Sequence, residues 1–119
     1  MISVSFNKDE CGSIMLKLQG HAGLAAKGHD IICAGASMLC YTLAQVMQYM
    51  WEEKELKKKP HIDLREGDSF IVAKPCDEHY NQCLHAFFVV QAGYALLAHS
   101  YPKYVELISF GDASPEEED

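Results

Sequence analysis

Two residues in the first third of the chain have the types needed for acyl transfer, His21 and Cys33. Cysteine attacks as its thiolate, and an imidazole within reach makes a nucleophile–base pair. The two lie in the stretch GHAGLAAKGHDIICAGASML, residues 20–39, where Gly23 and Gly28 mark a loop. Asp30 is placed to cap a helix, because an aspartate at that position accepts a hydrogen bond from a free amide of the first turn. Counting from that cap puts Cys33 in the first turn, where unpaired amides and the positive end of the helix dipole favour a thiolate. Ala34, Gly35, Ala36 and Ser37 are small and leave room for a substrate backbone. Ser37 follows Cys33 by one turn and shares its helical face. The chemistry this predicts is attack of Cys33 on a peptide carbonyl, with His21 holding the proton and returning it to the leaving amine. Amides near Cys33 are the candidate oxyanion donors. A free cysteine is also among the most buried residue types, so the competing reading of Cys33 is an inert core residue.

These residues must be positioned by the elements around them. Ile2, Val4 and Phe6 alternate with serines, and Ile14, Leu16 and Leu18 alternate with Met15, Lys17 and Gln19. The period of two predicts a hairpin whose second strand delivers His21. Ile32, Ala36, Leu39, Leu43, Val46, Met47 and Met50 recur at helical spacing, which predicts a helix from about Ile31 to about Leu56. Lys57, Lys58 and Lys59 suit its negative pole and Pro60 stops it. Two further strands follow, around Ile62–Leu64 and Phe70–Ala73, joined by the turn Arg65-Glu66-Gly67-Asp68. A second helix runs from about Glu78 to about Ser100, apolar nearly all round, which favours a subunit interface. Tyr104 to Phe110 reads as a last strand. The order ββαββαβ predicts an α+β domain over residues 1–111, two helices packed on a mixed or antiparallel sheet. Residues 112–119 read as an acidic, disordered tail.

The stretch around His21 and Cys33 resembles the signature of the ribosomal-processing cysteine protease family, Prp. It carries the Gly20-His21 pair, then Gly28-His29-Asp30-Ile31-Ile32-Cys33-Ala34, then Ser37. It departs at Gly35-Ala36, where the family more often has alanine and a β-branched residue. Length and element order fit as well, so the resemblance covers the chain apart from the acidic tail. It implies a cytoplasmic, homodimeric cysteine endopeptidase without a cofactor. The implied substrate is the N-terminal extension of large-subunit ribosomal protein bL27, cut just after paired phenylalanines during ribosome maturation. Cys33 is then the nucleophile and His21 the acid/base, with Gly20, Gly23, Asp30, Ala34 and Ser37 binding substrate or supporting the site.

Composition narrows the alternatives. The chain has 119 residues, enough for one domain, and a formal net charge of −7. Four of those charges are Glu116, Glu117, Glu118 and Asp119, and the remaining acidic body argues against direct nucleic-acid binding. The odd set of cysteines (Cys11, Cys33, Cys40, Cys76, Cys83) at irregular spacing is not a disulfide framework. The N-terminal residues MISVSFNKDE lack the charge and apolar run of a signal peptide, and no uninterrupted apolar stretch reaches membrane-spanning length, so the expectation is a cytoplasmic chain. Cys76, His79, Cys83 and His85 contain zinc-ligand types, but Cys83 fits the apolar stripe of the second helix, so no metal site is expected. Outside a peptidase, two other classes stay open: a ribosome-associated module that binds a peptide without cutting it, and a metal-dependent regulator.

Overall fold

The computed structural model describes residues 1–21 and 29–110, and in the second segment the side chains from Ile31 onward. The alternation at the start of the chain builds β1 (Ile2–Lys8) and β2 (Ile14–Gln19), which lay Ile2, Val4, Phe6, Ile14 and Leu16 on the core. They pair antiparallel, Phe6 opposite Leu16. The Asp9 carboxylate closes the hairpin by accepting from the amides of Cys11 and Ser13 at 3.0 and 2.9 Å. Then follow α1 (His29–Glu52), β3 (His61–Arg65), β4 (Asp68–Ala73), α2 (Tyr80–Ser100) and β5 (Val105–Ile108). This is the expected ββαββαβ order.

The strands form one mixed sheet in the order β3-β4-β2-β1-β5, with β5 parallel to β1 and every other pair antiparallel. The α1 stripe Ile32, Ala36, Leu43, Met47 and Met50 and the α2 stripe Cys83, Phe87, Val90 and Tyr94 meet the apolar strand face in a single core. The fold is α+β, two helices on one sheet. Both helices are long and apolar enough, by length and composition, to cross a bilayer. In this fold each lays one apolar stripe on the sheet, and many of its other apolar residues stay wholly or partly exposed, among them Val89 and Leu96 on α2.

The helix pair is joined at its centre. The Tyr94 hydroxyl, fully buried, donates to the Ala36 carbonyl at 2.7 Å. Gly93 lets Leu39 approach so closely that a Cβ there would lie 2.6 Å from a Leu39 methyl. Burial pushes the Tyr94 phenol up, with neighbouring Cys40 adding to the effect. It also pushes the thiols of Cys40 and Cys83 up, to about 11 and about 12. These two cysteines are core residues, and the Cys83 sulfur lies 3.7 Å from that of Met47.

Element ends differ from the sequence reading in instructive places. Helix α1 stops at Glu52, short of the lysine run. Lys54 takes φ 63°, its amide donates to Trp51, and the Glu55 amide donates to Met50, a Schellman closure with lysine where glycine is commoner. The chain then turns so that buried Leu56 can bridge to Pro75. The lysines therefore belong to the connection, where Lys57 pairs with Asp77 at 3.1 Å. A 3-10 turn, Asp77–His79, precedes α2, and β5 is shorter than expected at both ends. The acidic tail lies outside the described residues.

Candidate active site

β2 ends at Gln19, and the next two residues form one wall of an open cleft. Gly20 has φ +94°, and a Cβ there would run into the Met1 carbonyl oxygen, so the chain turns at this point because the residue is glycine. Its amide donates to the Gly67 carbonyl at 2.9 Å. The next carbonyl, of His21, accepts from the Met1 amino nitrogen at 2.6 Å. The backbone of His21 is thus tied on both sides while its imidazole stays exposed.

The second wall is the start of α1. Cys33, Ala34, Ser37 and Tyr41 present one helical face to the cleft, and Cys33 is half-buried. The helix opens at His29, not after Asp30. Asp30 therefore stands within the first turn instead of capping it, and Cys33 is the fifth helical residue instead of the third. By helix geometry the Cys33 amide is already engaged, and the unpaired amides belong to residues before it. Gly23, Gly28 and the loop they mark, together with the cap position, fall outside the described residues.

The third wall comes from a distant part of the chain. It is the β3–β4 turn from Arg65 to Ser69. The antiparallel register that sets Gln19 opposite Asp68 brings this turn beside Gly20 and His21. The turn is stapled from within: the Ser69 hydroxyl, mostly buried, accepts from the Arg65 amide at 3.0 Å and donates to the Arg65 carbonyl at 2.8 Å. The Arg65 guanidinium forms a bidentate pair with Asp63, both bonds 3.0 Å, and exposed Glu66 and Asp68 stand at the rim. Ile2 and Leu18 supply an apolar floor. The sequence shows Arg65-Glu66-Gly67-Asp68 as a turn, but its part in the site depends on strand order, which no local pattern encodes.

The cleft has a volume of about 380 Å³, within the range of small-molecule and peptide sites. It holds Cys33, His21, Ser37, Ala34 and Gly20 together. His21 and Cys33 line it without a hydrogen bond between them. The rival cluster disperses: His79 Nδ1 is 3.0 Å from the Gln82 side-chain oxygen, the Cys76 thiol points to the Lys54 carbonyl, and Cys83 is in the core. Among the described residues no three histidine, cysteine or acidic side chains are placed to hold a metal ion.

A two-layer α+β domain with a half-exposed cysteine near a helix start, facing a histidine across an open cleft, has the architecture of a thiol peptidase. The sequence profile of the cysteine protease Prp family matches residues 1–106, and the chain belongs to that family; it is a cysteine protease. Among solved structures it is similar to the essential ribosomal processing protease Prp from Staphylococcus aureus. With the substrate-peptide complex the TM-score is 0.67 at 18% identity, covering 92% of this chain and 99% of that one. With the complex holding a covalently linked product peptide it is 0.66 at 19% identity, with the same coverage. SMU.848 from Streptococcus mutans gives 0.65 at 22% identity, covering 92% of this chain and 94% of that one. At these identities the likeness is one of fold. A search of curated proteins gives no match.

Proposed function

We propose that this protease removes the N-terminal extension of large-subunit ribosomal protein bL27 in the cytoplasm, with Cys33 as nucleophile and His21 as acid/base. The observation that carries the reading is the placement of both side chains on facing walls of one open cleft. The Cys33 thiolate attacks the scissile carbonyl and a C–S bond forms. The C–N bond then breaks, and His21 gives the leaving amine its proton. Water, deprotonated by His21, releases the acyl group from sulfur. Amides at the open end of α1 are the candidate donors to the oxyanion, and Ser37 and Ala34, which line the cleft, would border the peptide. That the Staphylococcus aureus protease is solved with substrate and with a covalently linked product peptide supports taking this cleft as the peptide site.

The test is direct. The protein, incubated with the bL27 precursor of the same genome, is expected to yield one shortened product, whose new N-terminus by mass follows the paired phenylalanines. An intact precursor, or cleavage elsewhere in the chain, rejects the substrate assignment.

The same reading makes the active species a homodimer. On α2 the large apolar side chains Phe88, Val89 and Leu96 are 41%, 58% and 71% exposed, an apolar face that a second copy would cover. Sedimentation equilibrium is expected to give twice the chain mass, and Val89→Glu with Leu96→Glu to give the monomer. A monomeric wild-type protein at micromolar concentration rejects the dimer.

A further inference from the structure

Gly67 sits at the tip of the β3–β4 turn with φ +79°, directly beneath the imidazole of His21. A Cβ at this position would lie 2.6 Å from His21 Nε2 and 3.0 Å from Cε1, closer than atoms approach without displacement. We propose that Gly67 is a positioning residue for His21, the absence of its side chain forming the seat that sets the direction of the imidazole toward the cleft. The proposal rests on His21 being the acid/base.

Three observations converge on it. The backbone of His21 is already fixed, by the Gly20–Gly67 hydrogen bond on one side and by the Met1–His21 hydrogen bond on the other. What remains free is the ring, which is exposed and meets Gly67 at its Nε2 edge. The seat itself is rigid, because Ser69 staples the turn to the backbone of Arg65 at both its amide and its carbonyl. A side chain at 67 would therefore move the ring and not the turn. Acid/base catalysis is sensitive to such a shift, since a displacement of about 1 Å costs up to about 100-fold in rate.

A built-in control separates ring displacement from backbone strain. Gly12 has φ +93° and open space for 4 Å around the point where a Cβ would stand, so Gly12→Ala carries the strain of a left-handed backbone without a collision. Gly67→Asn supplies the second variant, because asparagine tolerates positive φ yet still brings a Cβ. Each variant is assayed on the cleaved peptide, and the imidazole resonance of His21 is followed by NMR. Gly67→Ala and Gly67→Asn are expected to lower kcat by about 10- to 100-fold with KM within about twofold, and to shift the His21 resonance. Gly12→Ala is expected to change neither. Wild-type or raised kcat in Gly67→Asn, with His21→Ala inactive, overturns the positioning role alone. Wild-type kcat in His21→Ala overturns the acid/base reading and this proposal with it.

Discussion

Cys33→Ala is expected to abolish cleavage, lowering kcat by on the order of 10⁴-fold or more, while the peptide still binds with little change in Kd. The asymmetry follows from where the sulfur stands. Cys33 is half-buried on the cleft wall, and as the proposed nucleophile it would contribute one atom to the reaction, whereas Ile2, Leu18, Ala34 and Tyr41 also line the cleft and the substitution leaves them in place. On the proposed reading the substitution removes the nucleophile, and with it the covalent intermediate that His21 would assist. The fold should survive, because Cys33 packs against the edge of the core and not within it. Isothermal titration with uncut precursor peptide measures the binding, and single-turnover mass spectrometry measures the cleavage. A variant that still cuts would transfer the role of nucleophile to another group. A module that only held its peptide would keep its biological activity in the same variant.

The period-two and period-3.6 patterns were enough to order the elements, because each element buries one face and the sheet has helices on one side. Ile2, Val4, Phe6, Ile14 and Leu16 are buried where alternation puts them, and so are Ile32, Ala36, Leu43 and Met47 on α1. What local patterns do not contain is pairing between distant strands. That β4 lies beside β2 places Gly67 against His21, and nothing in the sequence near either residue announces it. Helix ends depart from the local pattern for a related reason. Asp30 has the type of a cap, but a helix that starts at His29, two residues before Ile31, makes it a first-turn residue. The lysine run has the type of a helix terminus, but the tertiary bridge from Leu56 to Pro75 takes the chain out of the helix first. The candidate residues are more legible than their surroundings, since a cysteine, a histidine and a run of small residues are local facts and the approach of a distant hairpin turn to His21 is not.

Tyr94→Ala is expected to have the largest effect on stability, about 3–5 kcal/mol in urea denaturation, a large part of a total of roughly 5–15 kcal/mol. Tyr94 is the largest of the fully buried side chains, its ring lies 6.0 Å from that of Phe6, and its hydroxyl ties α2 to α1 at Ala36, less than one turn beyond Cys33. Tyr94→Phe separates the two contributions: the ring stays, the hydrogen bond goes, and the expected loss is about 1 kcal/mol. A phenylalanine variant as unstable as the alanine variant would contradict packing as the dominant effect. The pH dependence distinguishes them further. Burial raises the Tyr94 phenol above its ordinary 10.0 and the Cys40 and Cys83 thiols from 9.0 to about 11 and about 12. Above about pH 9 the unfolded chain releases protons that the folded chain retains, so stability is complete below that pH and falls as pH rises. Tyr94→Phe removes the tyrosine's share of that fall. The gap between wild type and Tyr94→Phe should hold constant up to about pH 9 and narrow beyond pH 10; a constant gap there would mean the phenol ionises as freely in the folded chain as in the unfolded one, and a widening gap that it ionises more freely, and either would contradict the effect of burial.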